Sequence, residues 1–174
     1  MTPLVVAAAA AVVMEPVAAV VHRLVMHRRA WYWHRSHHRP AAGGLERNDA
    51  FPMVFALVTI VAMAIGSRVD PLAPLLWAGA GISAYGLAYL IVHDLYIHQR
   101  LGPIPGRHAR YVRWVARGHG HHHRDGLAPF GFLLPLVPRH RRVVVDTARA
   151  LDRSARTAVG SVAERDTLAG TGPR

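Results

Sequence analysis

Three apolar stretches constrain this chain more than any other feature. Thr2 to Val21 carries a single charged side chain, Glu15, while Phe51 to Gly66 and Leu72 to Val92 carry none. Roughly 20 apolar residues in a helix cross a bilayer core, where only a helix or a closed barrel can satisfy its own backbone. The first and third stretches have that length, and the second is short but sufficient. Their apolar residues come in blocks rather than at amphipathic spacing, which argues against surface helices of a soluble globule. Ser67 to Pro71 reads as a tight connection between the second and third stretches. The third is rich in small residues (Gly79, Ala80, Gly81, Ala84, Gly86, Ala88), which let membrane helices approach closely. The expected fold is all-α and integral to a membrane, with three spans, or four if Leu127 to Pro138 inserts. With Pro129, Pro135 and Pro138, that last stretch is too short for an ordinary span and reads as interfacial or re-entrant.

Charge reports topology. All 21 basic residues are arginine, and the formal net charge is +11. Apart from Arg68, they lie in 22–50, in 93–126 and from 139 onward. Three spans put these three regions on one side and Arg68 on the other. The positive-inside rule makes the former cytoplasmic and the N-terminus external. The arginines follow the membrane segments, so nucleic acid is not an expected partner. An N-terminal signal peptide fits poorly, because no basic segment precedes the apolar one and histidines stand where a cleavage site would lie. Absence of cysteine excludes disulfides, thiolate metal sites and iron–sulfur clusters. The chain is expected to form a membrane domain over 1–138 and a basic tail over 139–174, a weak surface helix passing into disorder.

Ten of the thirteen histidines fall into two runs with the same spacing. The first has H-x4-H at His22 and His27, then H-x2-H-H at His34, His37 and His38. The second has H-x4-H at His93 and His98, then H-x2-H-H at His119, His122 and His123. On a helix, H-x2-H-H places its histidines on one face. The five-residue step of H-x4-H overshoots a helical turn, so a local distortion would help that pair to converge. Each run follows directly on an apolar stretch, so both emerge at the same membrane face. Neutral imidazole is the commonest protein metal ligand. Ten exceed the three or four that one zinc site uses, so two metals fit better. Imidazole suits Zn, Cu, Fe or Ni, and spacing does not choose among them. His108, His121 and His140 fall outside the repeat. Glu15, a carboxylate within a span, is expected to face a polar interior and is a candidate outer partner of the site. Trp31, Tyr32 and Trp33 could line the approach to the site, and read more readily as interfacial anchors.

Several stretches resemble the membrane di-iron fatty acid hydroxylase/desaturase superfamily, and within it the bacterial β-carotene hydroxylases. They are MEPVAAVVHRLVMH (14–27), WHRSHHRP (33–40), ERNDAFPMVFA (46–56), YGLAYLIVHDLYIHQR (85–100), and RDG with FGF (124–126 and 130–132). The histidine boxes alone specify the superfamily, and the HDxxxHQR box preceded by YGxxY points to the carotene hydroxylase branch. The resemblance implies two non-haem iron ions, held by His22, His27, His34, His37, His38, His93, His98, His119, His122 and His123. Asp94, beside His93 in its box, is the expected orienting partner of a ligand imidazole. It further implies a monooxygenase in the bacterial inner membrane, with its site on the cytoplasmic side. O2 and a ferredoxin or similar electron donor would be its co-reactants. The implied reaction places one oxygen atom on C3 of a β-ionone ring, taking β-carotene to β-cryptoxanthin and then zeaxanthin. Arg124 follows His123 directly, where the family usually carries several residues before RDG, so one wall of the site is expected to differ. Rival readings are another oxygenase of the superfamily, such as a carotenoid ketolase or lipid hydroxylase, and a non-enzymatic membrane metal-binding protein. The latter predicts histidines inside the spans, and none falls inside an apolar block.

Overall fold

A computed structural model of the chain describes residues 2–39, 44–102, 104–105 and 109–136. His108, His140 and the basic tail 139–174 lie outside the described residues. Helix α1 runs from Pro3 to Val21 and opens on a proline, whose missing N–H has no partner to lose in a first turn. It continues directly into a π-helix, His22–Arg29. A single helical turn, α2 (Trp31–His34), follows. A 3₁₀ turn over Arg47–Asp49 leads into α3, Ala50–Gly66. A second 3₁₀ turn, Asp70–Leu72, sits in the short connection and leads to α4, Pro74–Tyr89. This helix too continues as a π-helix, Leu90–Ile97. The strongly amphipathic α5, Arg110–Asp125, ends at Gly126 in the left-handed region that glycine favours. No strand occurs among the described residues.

Three helical stretches are long and apolar enough to cross a membrane: Pro3–Arg29, Arg47–Gly66 and Asp70–Ile97. Their outer surfaces are apolar and uncovered, with Val12 73%, Met53 67% and Leu87 58% exposed, as lipid-facing helices require. Helix α4 is central, since α1 and α3 each pack against it and make no comparable contact with one another. Two glycines allow this. A Cβ on Gly81 would run into the Ala7 carbonyl of α1, and one on Gly79 would meet Met63 of α3. Residues two apart on a helix point about 200° apart, so each glycine serves a different neighbour.

Residues 127–136 form no helix, so among the described residues this stretch provides no fourth span. Instead it threads Phe132 into a small core with Met14 and Ala18 of α1 and Tyr85 of α4.

Candidate metal centre

The two π-helices resolve the five-residue histidine step. In an α-helix five residues turn through about 500°, leaving the second side chain about 140° from the first. An i→i+5 hydrogen-bonded turn brings residues i and i+5 to one side. The His98 N–H donates to the His93 carbonyl at 2.9 Å, and the Ala30 N–H to that of Val25 at 2.8 Å. His22 and His27 thereby face one way at the end of α1, as do His93 and His98 at the end of α4.

The H-x2-H-H boxes behave differently from each other. His119, His122 and His123 lie on α5, as expected. In the first box only His34 is helical, and His37 and His38 follow in turns, with the His37 N–H donating to the His34 carbonyl at 3.0 Å. The imidazoles form two sets whose nitrogens lie within 4.8 Å of one another: His22, His27, His34, His38 and His122, and His37, His93, His98 and His119. Each set borrows one histidine from the other run. His123 stands between them, with Nε2 3.1 Å from His37 Nε2 and its ring stacked on His38 at 4.4 Å. His121 belongs to neither set, and its Nδ1 lies 2.7 Å from the Arg124 guanidinium.

Hydrogen bonding at the outer nitrogens fixes how these rings are used. His22 Nδ1 donates to the Phe130 carbonyl at 2.8 Å, His122 Nδ1 to that of Leu127 at 2.7 Å, and His34 Nδ1 to Asn48 Oδ1 at 2.7 Å. His93 Nδ1 donates to Asp94 Oδ1 at 2.7 Å. A neutral imidazole with its proton on Nδ1 presents a bare lone pair at Nε2. His22 and His34 Nε2 approach to 3.0 Å, yet neither has a proton to share. The Nε2 atoms of His27 and His122, and of His98 and His119, meet at 2.9 and 2.8 Å. His93 Nε2 is fully buried with no partner. Converging lone pairs repel unless a cation lies among them, so the donor set fits metal ions, with the outer acceptors orienting the ligands.

Electrostatics agree. Burial is the largest cause holding the imidazoles of His34, His37, His98, His119, His122 and His123 below their ordinary pKa, and neighbouring imidazoles add to it. His34 and His122 are lowered to about 4, His98 to about 3 and His123 to about 2. His37 and His119 lie well below the usual range for the same reasons. They are neutral, hence ligand-competent, at neutral pH.

A second layer ties the sets to the helices. Gln99 adopts a left-handed backbone (φ 52°), which turns the chain after His98 and brings Arg100 back. Arg100 grips Asp49 with two hydrogen bonds of 2.6 and 2.7 Å, and its Nη1 lies 3.5 Å from Asp94 Oδ2. Asp49, Arg100, Asp94 and His93 thus form a connected row from the start of α3 to a buried imidazole. Glu15 lies elsewhere: its carboxylate accepts from Tyr85 and from the backbone of Leu133 and Leu134. Asn48, Arg100 and the carbonyls of Leu127 and Phe130 escaped the sequence reading. Asn48 and Arg100 fall within matching stretches, but nothing in their spacing marks a role, and carbonyls carry no sequence signal.

Beside the histidines lies a cavity of about 900 Å³ lined by residues of α1, α3 and α4. Its walls are apolar (Met14, Ala18, Phe55, Ile82 and Gly86 among them), and His34 and His37, one from each set, stand at its polar end.

The fatty acid hydroxylase family model matches residues 7–140. The chain is 39% identical over 137 residues to a protein of Pseudescherichia vulneris named β-carotene hydroxylase, covering 75% of this chain and 76% of that one. A β-carotene hydroxylase of Pantoea ananas is 41% identical over 125 residues, covering 68% and 69%. A chloroplastic β-carotene 3-hydroxylase of an Oncidium hybrid cultivar is 38% identical over 117 residues, covering 65% of this chain and 38% of that protein. No solved structure matches the chain. By the extent of these matches, this chain belongs to the fatty acid hydroxylase family.

Proposed function

We propose that this protein is a di-iron monooxygenase that hydroxylates C3 of carotenoid β-ionone rings, converting β-carotene to β-cryptoxanthin and then zeaxanthin. The observation that carries this reading is the apolar cavity lined by the three spans, with His34 and His37, one from each histidine set, in its wall. A carotenoid dissolved in the bilayer could enter such a cavity sideways and bring its terminal ring to the imidazoles. The relatives named β-carotene hydroxylase support the same substrate.

In this reading His22, His27, His34, His38 and His122 hold one iron, and His37, His93, His98 and His119 the other. His123, beside both sets, is the tenth ligand. The irons supply the redox chemistry that reduces O2, for which zinc is unsuited. Two electrons from a ferredoxin-type donor and two protons balance the reaction, with one oxygen atom entering the ring and the other leaving as water. The chain's own residues hold the imidazoles neutral and aimed inward, and the apolar walls exclude water from the ring. The arginine distribution supports a site on the cytoplasmic side of a bacterial inner membrane, where a soluble donor would have access.

Expression in a β-carotene-producing host, followed by pigment analysis, tests this. Zeaxanthin is the expected product, and His37→Ala is expected to abolish it. A 4-keto product would reassign the chain to the ketolases, and untouched carotene would reject the carotenoid reading.

A further inference from the structure

Glu15 is the one charged residue in the first apolar stretch, seven residues before His22. At the rise of an α-helix it lies about 10 Å below the histidines. A carboxylate at that depth is costly and calls for a cause. Its partners supply one. Leu133 N–H donates to both carboxylate oxygens at 3.1 and 3.2 Å, Leu134 N–H donates at 2.8 Å, and Tyr85 hydroxyl donates at 2.6 Å. Residues 127–136 are irregular backbone brought down among the spans. Such backbone is tolerated at membrane depth only where protein groups satisfy it. Glu15 takes two of its N–H groups, and the Tyr111 hydroxyl donates to the Leu133 carbonyl at 2.9 Å. Gly131 lets the segment lie so close, because a Cβ there would press on Glu15 Oε1 and the Leu134 carbonyl.

The other end of the same segment reaches the histidines. The Phe130 carbonyl holds His22 Nδ1, the Leu127 carbonyl holds His122 Nδ1, and Phe132 stacks on His22 at 4.7 Å between ring centres. Both anchored histidines belong to the set of His22, His27, His34, His38 and His122. In the other set, His93 is anchored by Asp94. We infer that Glu15 is a remote positioning residue for one metal only: it latches residues 127–136 between α1 and α4, and the latched segment aims His22 and His122. This rests on the reading that the two sets hold metals.

The test is metal stoichiometry of the full-length protein in lipid nanodiscs, measured by elemental analysis after loading with Fe2+ under anaerobic conditions. Helicity is followed in parallel by circular dichroism. Wild-type protein is expected to hold about two ions per chain, and Glu15→Ala about one with unchanged helicity. Gly131→Ala attacks the latch from the other side and is expected to give the same loss. Pairing Glu15→Ala with His98→Ala should empty the protein, whereas pairing it with His27→Ala should leave about one ion. Two ions retained in both single variants overturn the latch, and so does loss of both ions in both variants, which a merely structural role would produce. Wild-type protein that binds no iron removes the metal reading itself, a result distinct from either.

Discussion

At the residue scale, Asn48 shows how one amide oxygen decides what an imidazole can do. By accepting from His34 Nδ1 at 2.7 Å it holds the proton on the outer nitrogen and frees Nε2 for the interior. Outer partners of this kind are worth about 10–100-fold in metal affinity. On the proposed two-metal reading, Asn48→Leu is therefore expected to weaken metal binding at the set containing His34 by about that factor, read by chelator competition, while the other set titrates as before. The lowered imidazole pKa values carry a stability consequence with a definite sign. In the unfolded chain these histidines take up protons below about pH 6.5. In the folded chain His34 stays neutral down to about 4 and His98 to about 3. Between those limits the unfolded state binds more protons, so stability is intact above pH 6.5 and falls as the pH drops through this window. The thermal midpoint of metal-free protein should fall progressively between pH 6.5 and 4. A midpoint flat across that range would contradict the buried, neutral histidines.

At the scale of elements, the spacing H-x4-H is awkward for an α-helix and natural for a π-turn. Both spans end in one, and both times the H-x4-H pair falls in it or at its edge. From the spacing alone, a local distortion is expected to help the pair converge. The spacing does not identify the π-helix, because the switch depends on side chains being held at a common centre and not on local propensity. The first H-x2-H-H box likewise leaves its helix after His34, because contacts with Asn48 and with α5 outweigh helix continuation. The three spans were legible from length and composition, and so was their close packing through small residues. Which glycine met which neighbour was not. Gly81→Leu should force α1 away from α4 and cost about 1–3 kcal/mol or more, as overpacking does. Denaturant unfolding in detergent would show it, and a neutral result would mean that α1 does not approach as described.

For the whole molecule, the cavity lined by α1, α3 and α4 brings an apolar space against His34 and His37. A Cβ at Gly86 meets nothing within 4 Å, so a large side chain there projects into open space along the cavity without disturbing the helices. Gly86→Phe is expected to lower carotenoid conversion at least tenfold while metal content stays at the wild-type level. Unchanged conversion would place the substrate elsewhere. The sequence by itself determined the class of this protein: three membrane helices, ten histidines at a repeated spacing, and the boxes shared with its family. These are local quantities, set by the hydrophobic length of a span and by residue types at fixed intervals. Only the tertiary structure decided how the histidines divide. The two runs are not two sites, since His37 crosses to the set built on α4 and His122 crosses to the set built on α1. It also decided that Glu15 and residues 127–136 belong together, although 118 positions separate Glu15 from Leu133. The physical reason is that aiming an imidazole, or satisfying a backbone N–H in an apolar surrounding, takes a partner brought near by packing, and sequence distance carries no record of that.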